Sequence, residues 1–167
     1  MSATPSLSLY QMSIPLLVRG LRNLSGILKK GAAHAGGEAL VEARLAPDML
    51  TLAGQVQRAS DTAKGAAARL AGIDNPAMAD EEKTFADLEA RIARTIAFLE
   101  SVTPAQIDGG EGRAIVLKAG KQEFKFTGVD YLATFVLPNF YFHVTTAYDI
   151  LRHKGVPLGK TDYLAMR

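Results

Sequence analysis

Thr84-Phe85-Ala86-Asp87-Leu88-Glu89-Ala90-Arg91-Ile92-Ala93-Arg94-Thr95-Ile96-Ala97-Phe98-Leu99-Glu100-Ser101-Val102 is the stretch on which the fold reading turns. Phe85, Leu88, Ile92, Ile96, Leu99 and Val102 recur at three- and four-residue steps. An α-helix gathers such residues on one face. Thr84 with Asp87 three residues later has the form of a capping box, with Asp in the acidic place. Thr103-Pro104 stops the helix, because the residue before a proline is pushed out of the helical region. A helix with one apolar face needs partners to cover it.

The rest of the chain supplies them. A first helix is expected between about Ser8 and Ala35, with Tyr10, Ile14, Leu17, Leu21, Leu24 and Leu28 on one face. Ser8 and Gln11 are spaced for a capping box. Pro15 is expected to kink this helix or to mark its true start, and Gly36-Gly37 to end it. A second helix is expected from Pro47, a residue suited to a first helical position, to Gly72. Its stripe is Met49, Leu52, Val56, Ala59, Ala63, Ala66 and Leu70, and its alanines favour close approach of a neighbour. Asn75-Pro76 marks a turn after it.

From Arg113 to Thr127 the period changes to two: Ile115, Leu117, Phe124 and Phe126 alternate around Ala119-Gly120, a β-hairpin pattern. A last helix follows Thr127, which with Asp130 again fits a capping box. It is expected to reach about Lys154, with Gly155 ending it and Pro138 kinking or breaking it. The tail from Val156 to Arg167 carries Pro157, Leu158, Tyr163 and Leu164, apolar enough to dock along a bundle. The fold expected is mainly all-α: a single domain over residues 1–167, an antiparallel four-helix bundle with a small β-hairpin before the last helix.

Composition narrows the function classes. With 48% hydrophobic and 22% charged residues in 167, the chain has the make-up of a globular domain. The net charge of +2 is too small to imply a nucleic-acid or membrane surface. Arg19, Arg22, Lys29 and Lys30 give the first helix a basic face, expected to be solvated and paired with acids such as Glu81 and Glu82. No aromatic residues interleave with those charges, so single-strand recognition lacks its stacking half. The absence of cysteine removes disulfides, thiolate metal sites and cysteine nucleophiles. The polar start, Met1 to Leu9, lacks the basic flank and apolar run of a signal peptide. The apolar stretch from Tyr131 to Phe142 is interrupted and falls short of the ~20 residues that span a bilayer. A soluble, cytoplasmic protein is expected, with neither nucleic acid nor membrane as a partner.

The last helix carries the anomaly. Leu132, Phe135, Val136, Asn139, His143, Ala147 and Ile150 share one face, and Asn139 and His143 interrupt it. Four residues apart, they are neighbours. A buried polar group left without a hydrogen bond costs roughly 1–3 kcal/mol, so both need partners. Those partners are each other, water, a residue of the second helix or a ligand. Gln55, at the edge of the second helix's stripe, is the best protein candidate. A core hydrogen-bonded pair and a ligand pocket fit the pattern about equally. His34 and His153 fall in the last turns of their helices, where a capping role is expected. No phosphate-binding loop, His-Glu-x-x-His zinc helix or dinucleotide fingerprint occurs, and nothing places a serine beside a base.

Three blocks of sequence carry a resemblance. They are Val18-Arg19-Gly20-Leu21-Arg22-Asn23-Leu24-Ser25; Arg44-Leu45-Ala46-Pro47-Asp48-Met49, with Gln55-Val56-Gln57 and Ala66 to Gly72; and Asn139-Phe140-Tyr141-Phe142-His143-Val144-Thr145-Thr146-Ala147-Tyr148, with Leu151 to Val156. Together they resemble an uncharacterised bacterial domain-of-unknown-function family within the DinB/YfiT-like superfamily. That resemblance implies a four-helix bundle, often dimeric. Many such proteins bind a divalent metal through three histidines, and some are thiol-dependent transferases, isomerases or hydrolases.

The superfamily pattern is one histidine on the second helix and a His-x-x-x-His pair on the fourth. Anchored on Leu151-Arg152 and Gly155, the pair falls at Asn139 and His143, and the single histidine at about Gln55. Amide oxygens are weak ligands for zinc or nickel beside imidazole. The resemblance thus implies a shared pocket without the shared metal, and no cofactor is expected. Two readings follow. One is a bundle that binds a small molecule through Gln55, Asn139 and His143, and as an enzyme would use His143 as general acid or base. The other is a non-catalytic dimeric bundle whose polar trio is core hydrogen bonding. A homodimer is expected in either, from the resemblance and from apolar side chains left over between Phe135 and Phe142.

Overall fold

A computed structural model of the chain describes residues 6–166; the first five residues of the polar start, and Arg167 at the end of the tail, lie outside them. Four long helices make the bundle: α1 (Ile14–Ala32), α2 (Leu52–Ala71), α3 (Phe85–Ser101) and α6 (Leu137–His153). Shorter pieces are α4 (Pro104–Ile107), α5 (Gly128–Asp130) and α7 (Lys160–Leu164), with a hairpin of β1 (Ile115–Ala119) and β2 (Gln122–Phe126). No helix among the described residues is long and apolar enough to cross a membrane.

The boundaries show which local signals win. Pro15 stands in the first turn of α1, so it marks the true start. The Ser8–Gln11 box forms, but it closes a separate turn ahead of α1: the Ser8 N–H donates to Gln11 Oε1 (2.9 Å) and the Gln11 N–H to Ser8 Oγ (3.2 Å). α1 ends at Ala32, and Gly37, at φ +50°, opens a 3₁₀ turn over Gly37–Glu42. α2 begins at Leu52, later than Pro47 suggested. Arg44 and Thr51 form a β-bridge and the Leu52 N–H donates to the Ala43 carbonyl (2.8 Å), which makes 44–51 a turn. The Thr51 hydroxyl then accepts from the Gly54 N–H (3.1 Å), and this cap decides the start. Gly72, left-handed at φ +68°, ends α2 as expected. In α3 both halves of the Thr84–Asp87 box are made.

Pro138 does not break the last helix. α5 and α6 are joined by a π-helical turn, Tyr131–Val136, in which the Leu137 N–H donates to the Leu132 carbonyl. A proline's ring clashes with the carbonyl one turn back and its missing N–H leaves that carbonyl without a donor. Widening the preceding turn makes room for the ring, and Pro138 sits in the first turn of α6.

One apolar core lies between the helices. Leu17, Leu21, Leu24 and Leu28 of α1, Val56, Ala63 and Leu70 of α2, Leu88 and Leu99 of α3, and Phe140, Val144, Ala147 and Ile150 of α6 are all buried in it. Arg22 meets Glu100, and Glu38, just beyond α1, accepts from the Phe85 N–H, so α1 and α3 are antiparallel. Gln55 meets His143 and Arg69 meets Tyr131, so α2 and α6 are antiparallel too. Gly20 faces Phe140 and Gly31 faces Leu151, so α1 and α6 run the same way. It follows that α2 and α3, though packed together, are also parallel, and the connection 73–84 returns along the bundle as a strap.

Arg91, with 0% of its surface exposed, holds that strap. Its guanidinium pairs with Glu82 (3.0 Å), Asp80 (3.1 Å) and Asp61 (2.8 Å) and donates to the Ala79 carbonyl (2.9 Å) and Ser60 Oγ (3.1 Å). Lys64 Nζ donates to the Pro76 carbonyl (2.6 Å). Glu82 is thus engaged by α3, and the basic face of α1 finds other acids: Arg22 pairs with Glu100 and Lys30 with Asp162 of α7. The tail docks on α1 through these contacts and through Asn23, which donates to the Tyr163 carbonyl (2.9 Å). The hairpin pairs Ile115 with Phe126 and turns at Gly120, φ +60°. Ile115 and the Phe126 ring, 5.8 Å from the Tyr131 ring centre, fasten it to the bundle.

Candidate functional site

The seam between α2 and α6 brings the three sequence candidates to one line, but not into one cluster. Gln55, on the first turn of α2, is 1% exposed. Its Nε2 donates to the Leu50 carbonyl (3.4 Å), which has no hydrogen to give, so its Oε1 is turned to the other side. There it lies 2.8 Å from His143 Nδ1. A carboxamide oxygen only accepts, so the Nδ1 of His143 carries the proton. Burial, and next the nearby positive charge of Arg58, hold His143 below its ordinary pKa of 6.5. The ring is therefore neutral at pH 7 and its Nε2 bears the lone pair. Nε2 makes no hydrogen bond among the described residues and is not sealed from solvent.

Asn139, one turn earlier on α6, is half-buried and takes a different partner. Its Nδ2 donates to Thr62 Oγ1 (2.8 Å), and the Thr62 hydroxyl donates to the Arg58 carbonyl (2.7 Å). Gln55, rather than Asn139, fixes the imidazole. His34 lies past the end of α1 and its Nδ1 accepts from the Gly36 N–H (3.2 Å); His153 is the last residue of α6. Neither joins the seam. Of the aromatic run, Phe140 is buried, Phe135 stacks on Tyr131 (5.8 Å between ring centres), and Phe142, 55% exposed, lies edge-on to the His143 ring.

These residues do not fit the three-imidazole metal site. Gln55 Oε1 is occupied by the His143 N–H, and Asn139 is turned to Thr62, which leaves one imidazole nitrogen free. Among the described residues no three of His, Cys, Asp and Glu group at metal-binding distance. What the seam offers instead is one oriented hydrogen-bond acceptor of basic character at neutral pH.

Beside it, past Thr62, opens a cleft of ≈ 460 Å³ bounded by α2, the strap, β1 and the π turn. Sequence reasoning passed over this cleft and the Arg91 network. The network left a trace: Leu88, Arg91, Thr95 and Leu99 follow helical spacing, which places Arg91 and Thr95 on the buried face. The cleft left none, since it forms only when the strap, the hairpin and the π turn meet.

The family described as Domain of unknown function (DUF1993) matches residues 9–164. A crystal structure of a DinB family member protein from Shewanella denitrificans superposes with a TM-score of 0.86 at 38% sequence identity, covering 93% of this chain and 91% of that one. No curated protein matches the chain.

Proposed function

The chain belongs to the DUF1993 family, with a DinB-like fold, and on that premise we propose that it binds a small organic molecule at the α2–α6 seam, with His143 Nε2 as the acceptor. The observation that carries this reading is the buried amide of Gln55, which fixes the His143 ring and its proton at 2.8 Å. A core histidine is at rest when both nitrogens are satisfied; here one is fixed and the other is left open. The open atom accepts a hydrogen bond from a hydroxyl, thiol or N–H group of a ligand. An imidazole of this kind also serves as a general base when the bound proton is acidic enough. Asn139 and Phe142 flank it, one polar and one apolar, and would orient what binds.

A thermal-shift screen of metabolites on the wild type and on His143→Leu tests the reading. Leucine is of similar size, and the substitution removes the acceptor while leaving the seam filled. The expected result is at least one compound that raises the Tm of the wild type, does not raise that of the variant, and moves the His143 ring signals. Compounds that stabilise both proteins equally would reduce His143 and Gln55 to core hydrogen bonding.

A further inference from the structure

The charges around the cleft beyond Thr62 do not cancel locally. Asp61, Asp80 and Glu82 are paired with Arg91, Arg58, Lys64 and Arg94: Arg91 pairs with all three acids, Arg58 with Asp61 (2.9 Å) and with Asp80, Lys64 with Asp61 (3.6 Å), and the exposed Arg94 with Glu82 (3.9 Å). Arg69, one further turn along α2, has no carboxylate partner among the described residues. Its Nη1 donates to the phenol oxygen of Tyr131 (3.1 Å), and its guanidinium lies 5.9 Å from the centre of that ring. A neutral oxygen and a ring face occupy part of a planar fork with five N–H donors. A half-buried guanidinium so placed has donors to spare and no counter-charge.

The backbone is shaped to hold it there. Gly65, four residues before Arg69 in the middle of α2, allows the guanidinium to lie back across the helix: a methyl group at that position would stand 2.4 Å from Arg69 Nη1. Glycine in a helix interior costs roughly 0.5–1 kcal/mol relative to alanine. The opposite wall is apolar: Leu117 of β1, and Tyr131 and Phe135, whose rings stack at 12° to one another.

We propose that this cleft binds a small organic carboxylate, with Arg69 as the anion anchor and the Tyr131–Phe135 stack as the wall for its apolar body. The guanidinium fork matches a carboxylate in two parallel N–H···O bonds. One guanidinium without a carboxylate partner, with Asp61 also lining the cleft, favours a monoanion over a phosphate dianion. The volume of ≈ 460 Å³ lies within the ordinary range for small-ligand sites. The proposal does not rest on His143, whose Nε2 belongs to the other end of the seam.

The test is an NMR titration of the full chain with phenylacetate, its neutral isostere phenylacetamide, and inorganic phosphate. Phenylacetate is expected to saturate, with shifts confined to residues 62–69, Leu117, Tyr131 and Phe135. Phenylacetamide and phosphate are expected to bind roughly tenfold more weakly or less, the ratio a charge-assisted hydrogen-bond pair commands. Arg69→Gln should weaken phenylacetate by a similar factor. Gly65→Ala should weaken it too, by displacing the guanidinium, while Tm is unchanged or higher; this variant keeps the test valid if Arg69→Gln folds poorly. Lys121→Gln, in the exposed hairpin turn, should bind as the wild type does. Any one of four results overturns the proposal: equal binding of the amide, tighter binding of phosphate, undiminished binding by Gly65→Ala and Arg69→Gln, or no saturation at the cleft by about 10 mM, a concentration that corresponds to under about 3 kcal/mol of binding free energy.

Discussion

Gly20 of α1 lies directly beneath the ring of Phe140 on α6, so close that a methyl group at position 20 would stand 2.4 Å from Phe140 Cε1. Phe140 is fully buried, so its ring cannot swing aside into solvent without leaving the core. Gly20→Ala is therefore expected to destabilise the protein by about 1–3 kcal/mol, the usual cost of overpacking, despite alanine's better helix propensity. Urea unfolding measures it. Pairing Gly20→Ala with Phe140→Leu should recover part of the loss, because the leucine side chain is shorter than the ring.

His143 is held below 6.5 by burial first and Arg58 second, and this sets a sign for stability against pH. The unfolded chain takes up the proton near the ordinary value while the folded protein resists it. Stability thus falls as pH drops through 6.5 toward the folded pKa, and the His143→Leu variant should lack that component. Replacing Gln55 with glutamate reverses the shift, since a carboxylate beside Nδ1 favours the imidazolium. An NMR titration of the His143 ring should give a midpoint below 6.5 in the wild type and above it in Gln55→Glu. A wild-type midpoint at or above 6.5 would contradict the neutral, Nδ1-protonated ring.

Arg91→Met leaves Asp61, Asp80 and Glu82 without their common cation. Asp61 and Asp80 are partly exposed and keep Arg58 and Lys64, but Glu82 is buried, and removing one partner of a buried pair costs about 3–5 kcal/mol because the charge left behind stays desolvated. Burial pushes the Glu82 carboxyl up, and hydrogen bonds from Gln57 and Arg91 more than reverse this, so its pKa lies below the ordinary value. That contribution to stability is present above the unfolded carboxylate pKa and is lost as pH falls through the folded one. The deficit of Arg91→Met in chemical denaturation should therefore be largest near neutral pH and shrink in acid. A deficit independent of pH would mean that shape rather than charge holds the strap.

Elemental analysis of protein made without an affinity tag should find well under one zinc, nickel or iron per chain. The motive is the single free imidazole nitrogen of the seam, with Gln55 and Asn139 already engaged. One metal per chain would require ligands that the seam does not present, and His34 would be the first to examine.

The periodic stripes carried most of the fold. Phe85 to Leu99, Leu17 to Leu28 and Val136 to Ile150 follow helical spacing over long runs, and burial obeys it. The start of α2 was misplaced because Pro47 is suited equally to a turn, and only the tertiary bridge from Arg44 to Thr51 decides between them. Pro138 was legible as a disturbance but not as a π turn, since the accommodation lies in the backbone before it. At the seam, helical spacing puts Asn139 and His143 on one face, and the edge of the second helix's stripe, with the resemblance, points to Gln55 as their neighbour; Gln55 meets His143. The division of partners between Gln55 and Thr62 depends on the rotation of α2 against α6, which no single helix encodes.

The returning strap has a consequence for how the chain reaches this structure. α2 follows α1 in the chain but sits diagonally across the bundle from it, and α3 lies parallel to α2, so neither pair can form as a local helical hairpin. The antiparallel partners, α1 with α3 and α2 with α6, are separated by long stretches of chain. Loop closure must therefore precede most of the stabilising burial. Folding is expected to be slower than that of an up-and-down bundle of equal length, with a rate-limiting step that already joins α1 to α3 and α2 to α6. If the strap closes after those pairs have joined, mutations at Asp80 or Glu82 act mainly on the rate of unfolding, which the folding and unfolding limbs of a denaturant series on Asp80→Asn would show.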